Sequence, residues 1–355
     1  MGYRFRHSGS WHAAVAVFAS VVTTATTSAI LTILFPLAPA AGQAPMAKPA
    51  AASKHTGTRT PSRTSDGQPD LEGIWTNSTI TPLQRPRELA GKEFFTEKEA
   101  AEYQRKMLSD LDTDRRDANP EVDVNRSYNE LFRERGGVVA TLRTSLIVDP
   151  PDGRIPPLTE SGRKREALFA RGPYAADSWT DRNLAERCIT RGAPKLPGGY
   201  NNNFQIYQPP GYVVIFQEMI HETRVIPLDG RPHAGKNIQL WMGDSRGHWE
   251  GDTLVIDTTN FNDKIISNNF NCCGASGASL HVVERLTRVG ADRIDYRYTV
   301  DDPATYTRPW TVDVPMMKSD GPLYEYACHE GNYALVDILK GAREQEKAAE
   351  AGKKK

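Results

Sequence analysis

Between Phe204 and Trp310 short apolar runs alternate with turn residues, and one run settles into a strict period of two. In Arg293–Val300 the residues Ile294, Tyr296, Tyr298 and Val300 fall on one side, and Arg293, Asp295, Arg297 and Thr299 on the other. Successive side chains of an extended chain point to opposite faces, so this pattern is a strand with one buried and one wet face. Pro209-Pro210-Gly211, Asp229-Gly230, Glu250-Gly251-Asp252 and Gly290-Ala291-Asp292 act as turns. They separate runs at Phe204–Gln208, Tyr212–Met219, Thr223–Leu228, Ile238–Met242, Thr253–Thr259, Leu280–Val289 and Ile294–Val300, with a further run at Trp310–Val314. The connections are too short for crossover helices, which predicts a mainly β, antiparallel sheet of about eight strands. Such a sheet curls into a barrel or a strongly curved cup, lipocalin-like by architectural analogy.

The flanking sequence predicts peripheral helices. Thr96-Glu97-Lys98-Glu99 is a capping box opening a helix to Leu111. Thr159–Ala170 is a second helix stopped by Gly172, and Asn332 caps a third over Tyr333–Lys340. Leu184–Cys188 reads as a helical turn, and Pro69–Thr76 and Ala140–Val148 as strands.

Residues 1–41 carry Arg4 and Arg6, then a long apolar stretch, then Ala38-Pro39-Ala40. That order predicts a signal peptide for export, with an uncleaved N-terminal membrane anchor as the alternative. Residues 42–68, rich in Ala, Pro, Ser and Thr, read as a linker. Residues 69–345 form a single β-rich domain in this reading, and 346–355 a charged tail. The expected location is the periplasm or the exterior, with membrane contact only through the N-terminal segment. Net charge is +0, and the 44 Lys and Arg are interleaved with 44 Asp and Glu. No basic stripe forms, which argues against a nucleic-acid partner. An oxidising compartment favours disulfides, and four cysteines allow three pairings. Cys272 and Cys273 are neighbours, so Cys188 with Cys328 is the favoured bridge.

Several segments resemble an uncharacterised family of secreted bacterial proteins. They are Pro69-Asp70-Leu71-Glu72-Gly73-Ile74-Trp75, Tyr200-Asn201-Asn202-Asn203, Met219-Ile220-His221-Glu222, the central Gly243–Leu254 stretch, Tyr306–Trp310 and Cys328-His329-Glu330-Gly331-Asn332-Tyr333. The resemblance implies export and one folded unit, and brings no catalytic assignment.

No motif fixes a reaction. The histidine that a two-histidine zinc helix needs after His221-Glu222 is replaced by Val225. Arg115 stands where a calcium loop around Asp110, Asp112, Asp114 and Glu121 needs glycine. Ser161–Lys164 lacks the companion motifs of a serine–lysine pair, and no phosphate loop or dinucleotide fingerprint is present. Cys272-Cys273 with His281 or His329 matches no standard zinc spacing. No cofactor or metal is expected.

What remains is polar groups on apolar faces. Glu284 shares a side with Val282 and Leu286, Glu218 with Val214 and Phe216, Asp257 with Val255, and His221 with Met219. A buried charge needs a partner, and Arg224, Arg285 and Arg308 are candidates. The cup reading makes His221, Glu218 and Glu284 the candidate catalytic groups, because carboxylates and a histidine in a half-apolar pocket have shifted proton affinities. Tyr207, Arg224, Asp257, Tyr296, Tyr298 and Trp249 are the candidate ligand-binding residues. The expected function is binding of a small, partly apolar molecule in the cup. The alternatives are a metal-free acid–base enzyme (hydrolase, lyase or isomerase) and a cell-envelope interaction module without a pocket.

Overall fold

The computed structural model describes residues 62–114, 116, 130, 133–169, 176–263 and 278–353. The segment expected to direct export, most of the expected linker, and Cys272-Cys273 lie outside the described residues. The fold is mainly β, a nearly closed antiparallel barrel whose nine-strand path runs β5-β4-β3-β1-β11-β9-β8-β7-β6. The strands are β1 (Gly73–Thr76), β2 (Ile147–Asp149), β3 (Asn203–Tyr207), β4 (Tyr212–Gln217), β5 (Glu222–Pro227), β6 (Asp244–Glu250), β7 (Thr253–Thr259), β8 (His281–Arg288), β9 (Arg293–Asp301), β10 (Trp310–Asp313) and β11 (Met316–Lys318). Among the described residues three α-helices accompany them: α1 (Glu97–Leu111), α2 (Glu160–Phe169) and α3 (Ala334–Lys353). The Thr96 capping box is formed as the sequence predicts, with Thr96 and Glu99 satisfying each other's amides.

The path nearly closes because its two ends, β5 and β6, lie against each other. Gly247 makes the approach possible. A Cβ there would meet Leu228 Cδ2 at 2.7 Å and Ile226 Cγ2 at 2.9 Å, closer than real Cβ atoms come. β9 is long enough to pair twice, with β11 at its start (Met316↔Ile294) and β10 at its end (Trp310↔Val300). Pro315 divides those two partners because it cannot donate to the ladder. β2 extends the sheet by pairing with β10. Fully buried Trp75, Trp310, Tyr298 and Phe261 are the largest side chains of the core.

The structure departs from the sequence reading in several places. Ile238–Met242 is not a strand; it contributes only a bridge from Leu240 to Phe261. The strand lies at Asp244–Glu250, where alternation is masked because the inward positions are Ser245 and Gly247 rather than aliphatics. Ala140–Val148 divides into a 3-10 turn at Ala140–Leu142 and the short β2. β4 ends at Gln217, and Glu218 opens a 3-10 turn over Met219–His221. Its buried face is Val213, Ile215 and Gln217, so the face holding Tyr212, Val214 and Phe216 points outward: a one-residue slip reverses the assignment. The last helix continues to Lys353 through the charged tail. Order also begins before residue 69: Ser62 donates to Asp70 (2.8 Å), and Arg63 pairs with Asp252 (2.8 Å).

Candidate functional site

Inside the barrel, β5 faces β8 across the lumen. Arg224 donates from Nη1 to Glu284 Oε2 (2.6 Å) and from Nη2 to Oε1 (2.9 Å), a bidentate pair. The Tyr296 hydroxyl donates to Glu284 Oε1 (2.6 Å). Glu284 is 1% exposed and Arg224 9%, so both charges are desolvated, and the geometry returns what burial costs. Burial works most strongly against the Arg224 guanidinium, but the Glu284 charge and hydrogen bonds, together with Tyr296 and Glu222, outweigh it and raise its pKa. Burial and then Glu284 push both tyrosine hydroxyls well above their ordinary range. The Tyr298 ring lies 5.7 Å from that of Tyr296, and its buried hydroxyl has no hydrogen-bond partner among the described residues.

The structure thus brings Arg224, Glu284, Tyr296 and Tyr298 together; the alternation of β8 and β9 points Glu284, Tyr296 and Tyr298 inward, and Arg224 comes from β5. They do not line an open cup. Phe204, Ile206, Ile215, Leu286 and Met316 fill the space around them, leaving about 20 Å³ for the centre of a water molecule. That admits one water and no larger guest.

A second concentration of buried polar groups caps the barrel at the end stapled by the disulfide Cys188–Cys328. Lys195 is 5% exposed. Its Nζ donates to Asn202 Oδ1 (3.0 Å), which also accepts from the Gly198 amide (2.7 Å). Asn202 Nδ2 donates to the carbonyls of Glu134 and Gly198 (both 2.9 Å). Glu218 accepts from Asn203 Nδ2 (2.9 Å) and the Tyr324 amide (3.0 Å). Glu222 accepts from the Arg191 amide (3.0 Å) and Gln217 Nε2 (2.6 Å). Burial, and then the nearby Arg191 charge, lower the Lys195 pKa to about 7. Burial raises the carboxyls of Glu134 and Glu222.

The backbone here is unusual. Cys188 (φ 53°), Asn201 (φ 50°), Ile220 (φ 60°) and His221 (φ 45°) all occupy the left-handed region. Each such non-glycine residue costs on the order of 1–3 kcal/mol, and such costs gather at functional sites. Beside this cap runs a groove of about 650 Å³ between residues 183–201, residues 325–332 and the start of α3. Ala327, Ala334, Leu335 and Ile338 give it an apolar wall; Arg191, Glu325 and Glu330 give it charge.

The expected catalytic constellation is not assembled. His221 is exposed, and its Nδ1 lies 2.9 Å from the Tyr326 carbonyl oxygen. Glu218 is fully buried and engaged by Asn203 and Tyr324, and Glu284 is in the lumen with Arg224. Three residues expected in one site therefore occupy three environments, because β4 ends before Glu218 and the 3-10 turn swings the chain away from the strand direction. Asp257 faces outward, bonded to His281 Nε2 (2.8 Å) and His233 Nε2 (2.9 Å). The His281 hydrogen bond lowers the Asp257 pKa, and the same contact raises that of His281. Trp249 packs its ring against the core rather than over an opening, and Tyr207 lies exposed on the outer face of β3. Among the described residues no three His, Cys, Asp or Glu side chains are placed to hold a metal ion.

Sequence reasoning missed Lys195, Glu134, Glu222 and Arg191. Apolar flanks, Ala193-Pro194 and Leu196-Pro197, were the available sign that Lys195 is enclosed. No protein-family model matches the chain, and no curated protein matches it either.

Proposed function

We propose that this chain is an exported binding protein for a small, partly apolar molecule, and that the molecule sits in the groove at the stapled end rather than in the barrel lumen. The groove carries this reading: about 650 Å³ is in the range of small-molecule sites, and an apolar wall faces a few charged groups. A lumen with room for one water does not compete with it. Export is supported by the disulfide, which persists in an oxidising compartment. Among the described residues no helix is long and apolar enough to cross a membrane. The acid–base alternative loses its named groups, since His221, Glu218 and Glu284 are separately engaged.

The test is native mass spectrometry of protein isolated from the exported fraction. We expect a retained small molecule that is lost from Ala334→Trp and from Leu335→Arg, both of which intrude on the groove without touching the lumen. Retention in both variants would overturn the groove assignment.

A further inference from the structure

A second concavity lies on the outer face of the barrel, between β3–β4–β5 and the strap formed by residues 323–325. Its volume is about 370 Å³. The strand register lays its floor in two rows. Tyr207, Val214 and Val225 are cross-strand neighbours, and Gln205, Phe216 and Thr223 form the adjacent row. Rows two residues apart along a strand are roughly 7 Å apart, so Tyr207 and Phe216 sit diagonally on one surface. Leu323, Tyr324 and Glu325 form the facing wall. The wall is fixed in place by the Tyr324 amide on buried Glu218 (3.0 Å) and by His221 Nδ1 at the Tyr326 carbonyl (2.9 Å).

The chemistry of this groove differs from that of the stapled end. Its surfaces are ring faces and aliphatic side chains, with Tyr207 45% and Tyr324 65% exposed. Large exposed aromatics on two opposed walls are unusual unless something stacks on them. Its polar groups are an amide, hydroxyls and one carboxylate, from Gln205, Thr223, the two tyrosines and Glu325. An amide and a hydroxyl each both donate and accept, while a carboxylate accepts. A ligand matching both features has flat apolar faces and a rim of groups that also donate and accept. A pyranose ring has that form: its axial C–H faces are apolar and its equatorial hydroxyls circle the edge. The carboxylate of Glu325 disfavours an anionic ligand.

We propose that this outer groove, which meets the groove at the stapled end only at Glu325, is a saccharide-binding site in which a pyranose ring stacks between Tyr207 and Tyr324 and hydrogen-bonds to Gln205, Thr223 and Glu325. The site is on the outside of the sheet, to which the one-residue slip of β4 turns Phe216 and Val214. Apolar residues on both faces of β4 let either side be read as the interior, which conceals the site.

The experiment is saturation-transfer NMR and calorimetry on the full chain with a fixed panel: methyl β-D-glucopyranoside, cellobiose, maltose and N,N′-diacetylchitobiose, with benzyltrimethylammonium as the non-sugar comparison. We expect at least one sugar to bind, with saturation strongest on its ring C–H protons. Tyr207→Ala and Tyr324→Ala each weaken it about tenfold, the loss of about 1.4 kcal/mol of ring contact. Both side chains are exposed, and an unchanged melting temperature checks that the fold is intact. Ala334→Trp, which intrudes on the other groove, leaves sugar affinity unaltered, so failure of either site is read separately. Absence of saturation for all four sugars overturns the proposal. So does binding that survives the double tyrosine variant, or binding of the ammonium compound alone.

Discussion

The lumen and the stapled end both bury charge, and they do it by opposite means. In the lumen, regular strands bring one cation and one anion face to face, and Arg224 and Glu284 neutralise each other in a bidentate pair. At the stapled end, irregular backbone encloses Lys195, which bonds to the neutral amide of Asn202. Glu218 likewise accepts from an amide side chain and a backbone N–H. A matched pair keeps both charges in low dielectric; a lysine held by an amide has its proton affinity lowered instead. The lumen is therefore a structural centre, and the stapled end a place where burial leaves a titratable group near neutrality. Lys195 itself lines the small lumen cavity, beside Phe204 and Gln217, and not the outer groove.

That contrast breaks first if the lumen pair is removed. Glu284→Gln leaves Arg224 buried without its counter-charge, and we expect a loss of about 3–5 kcal/mol in urea unfolding. Replacing both partners together, Arg224→Met with Glu284→Leu, recovers most of it. A Glu284→Gln cost below about 1 kcal/mol would mean that the pair is reached by water.

The disulfide comes next. Cys188 and Cys328 are 140 residues apart, and closing so long a loop restricts the unfolded chain. Cys188→Ser with Cys328→Ser should cost about 2–4 kcal/mol. The sharper readout is local. Hydrogen exchange should rise in the strap and at the start of α3, while the β7–β9 ladder stays protected until global unfolding. Equal loosening of both regions would show that the two ends are not separate in stability.

Within the lumen, Tyr296→Phe deletes a hydroxyl that donates to a charged acceptor. Such bonds contribute about 1.5–3 kcal/mol, and that is the expected loss in the same unfolding measurement. Glu284 retains both guanidinium bonds, so the variant should remain folded.

The two regions also differ in how readable they are from sequence. β9 alternates without exception and its neighbours are aliphatic, so the pattern alone points Tyr296, Tyr298 and Glu284 inward. β4 misleads because Val213, Val214, Ile215 and Phe216 are all apolar: both faces satisfy the pattern, and burial is decided by what packs on the outer one. β6 escapes detection since its inward face carries Ser245 and Gly247, the latter small because β5 passes close by. The bridge from Cys188 to Cys328 is reached from compartment and elimination. Lys195 is signalled by nothing periodic: it lies in a loop whose path is set by tertiary contacts such as Asn77 Nδ2 on its carbonyl (3.0 Å). Regular elements announce their inside; a cap built from loops does not.

Lys195 yields a pH signature for the stapled end. Its pKa is about 7 in the fold against 10.5 ordinarily. Between those values the unfolded chain holds a proton that the native state lacks, so raising pH through this window would act against the fold only if the native state held the extra proton; it does not. The sign is set by the unfolded state binding more protons, and stability therefore rises with pH across the window. Below about pH 7 both states are protonated and the cost of the buried charge is fully expressed. The slope from one such group is at most about 1.4 kcal/mol per pH unit. Lys195→Met should flatten the stability profile between pH 7 and 10 and be relatively most stabilising at pH 6. An unchanged slope would place the ammonium in contact with water.

The smallest effect tests the lumen from the other side. Tyr298 sits two residues from Tyr296 on the same face of β9, also buried, yet its hydroxyl has no hydrogen-bond partner among the described residues. A buried donor left unmade costs about 1–3 kcal/mol, and deleting it removes that cost along with a small packing contribution. Tyr298→Phe should therefore be neutral or stabilise by up to about 1 kcal/mol, opposite in sign to Tyr296→Phe on the same strand. The void that Tyr296 lines admits one water. If Tyr298→Phe destabilises as much as Tyr296→Phe does, a water reaches the Tyr298 hydroxyl as well. The lumen is then a hydrated network rather than a dry ion pair set in a filled core.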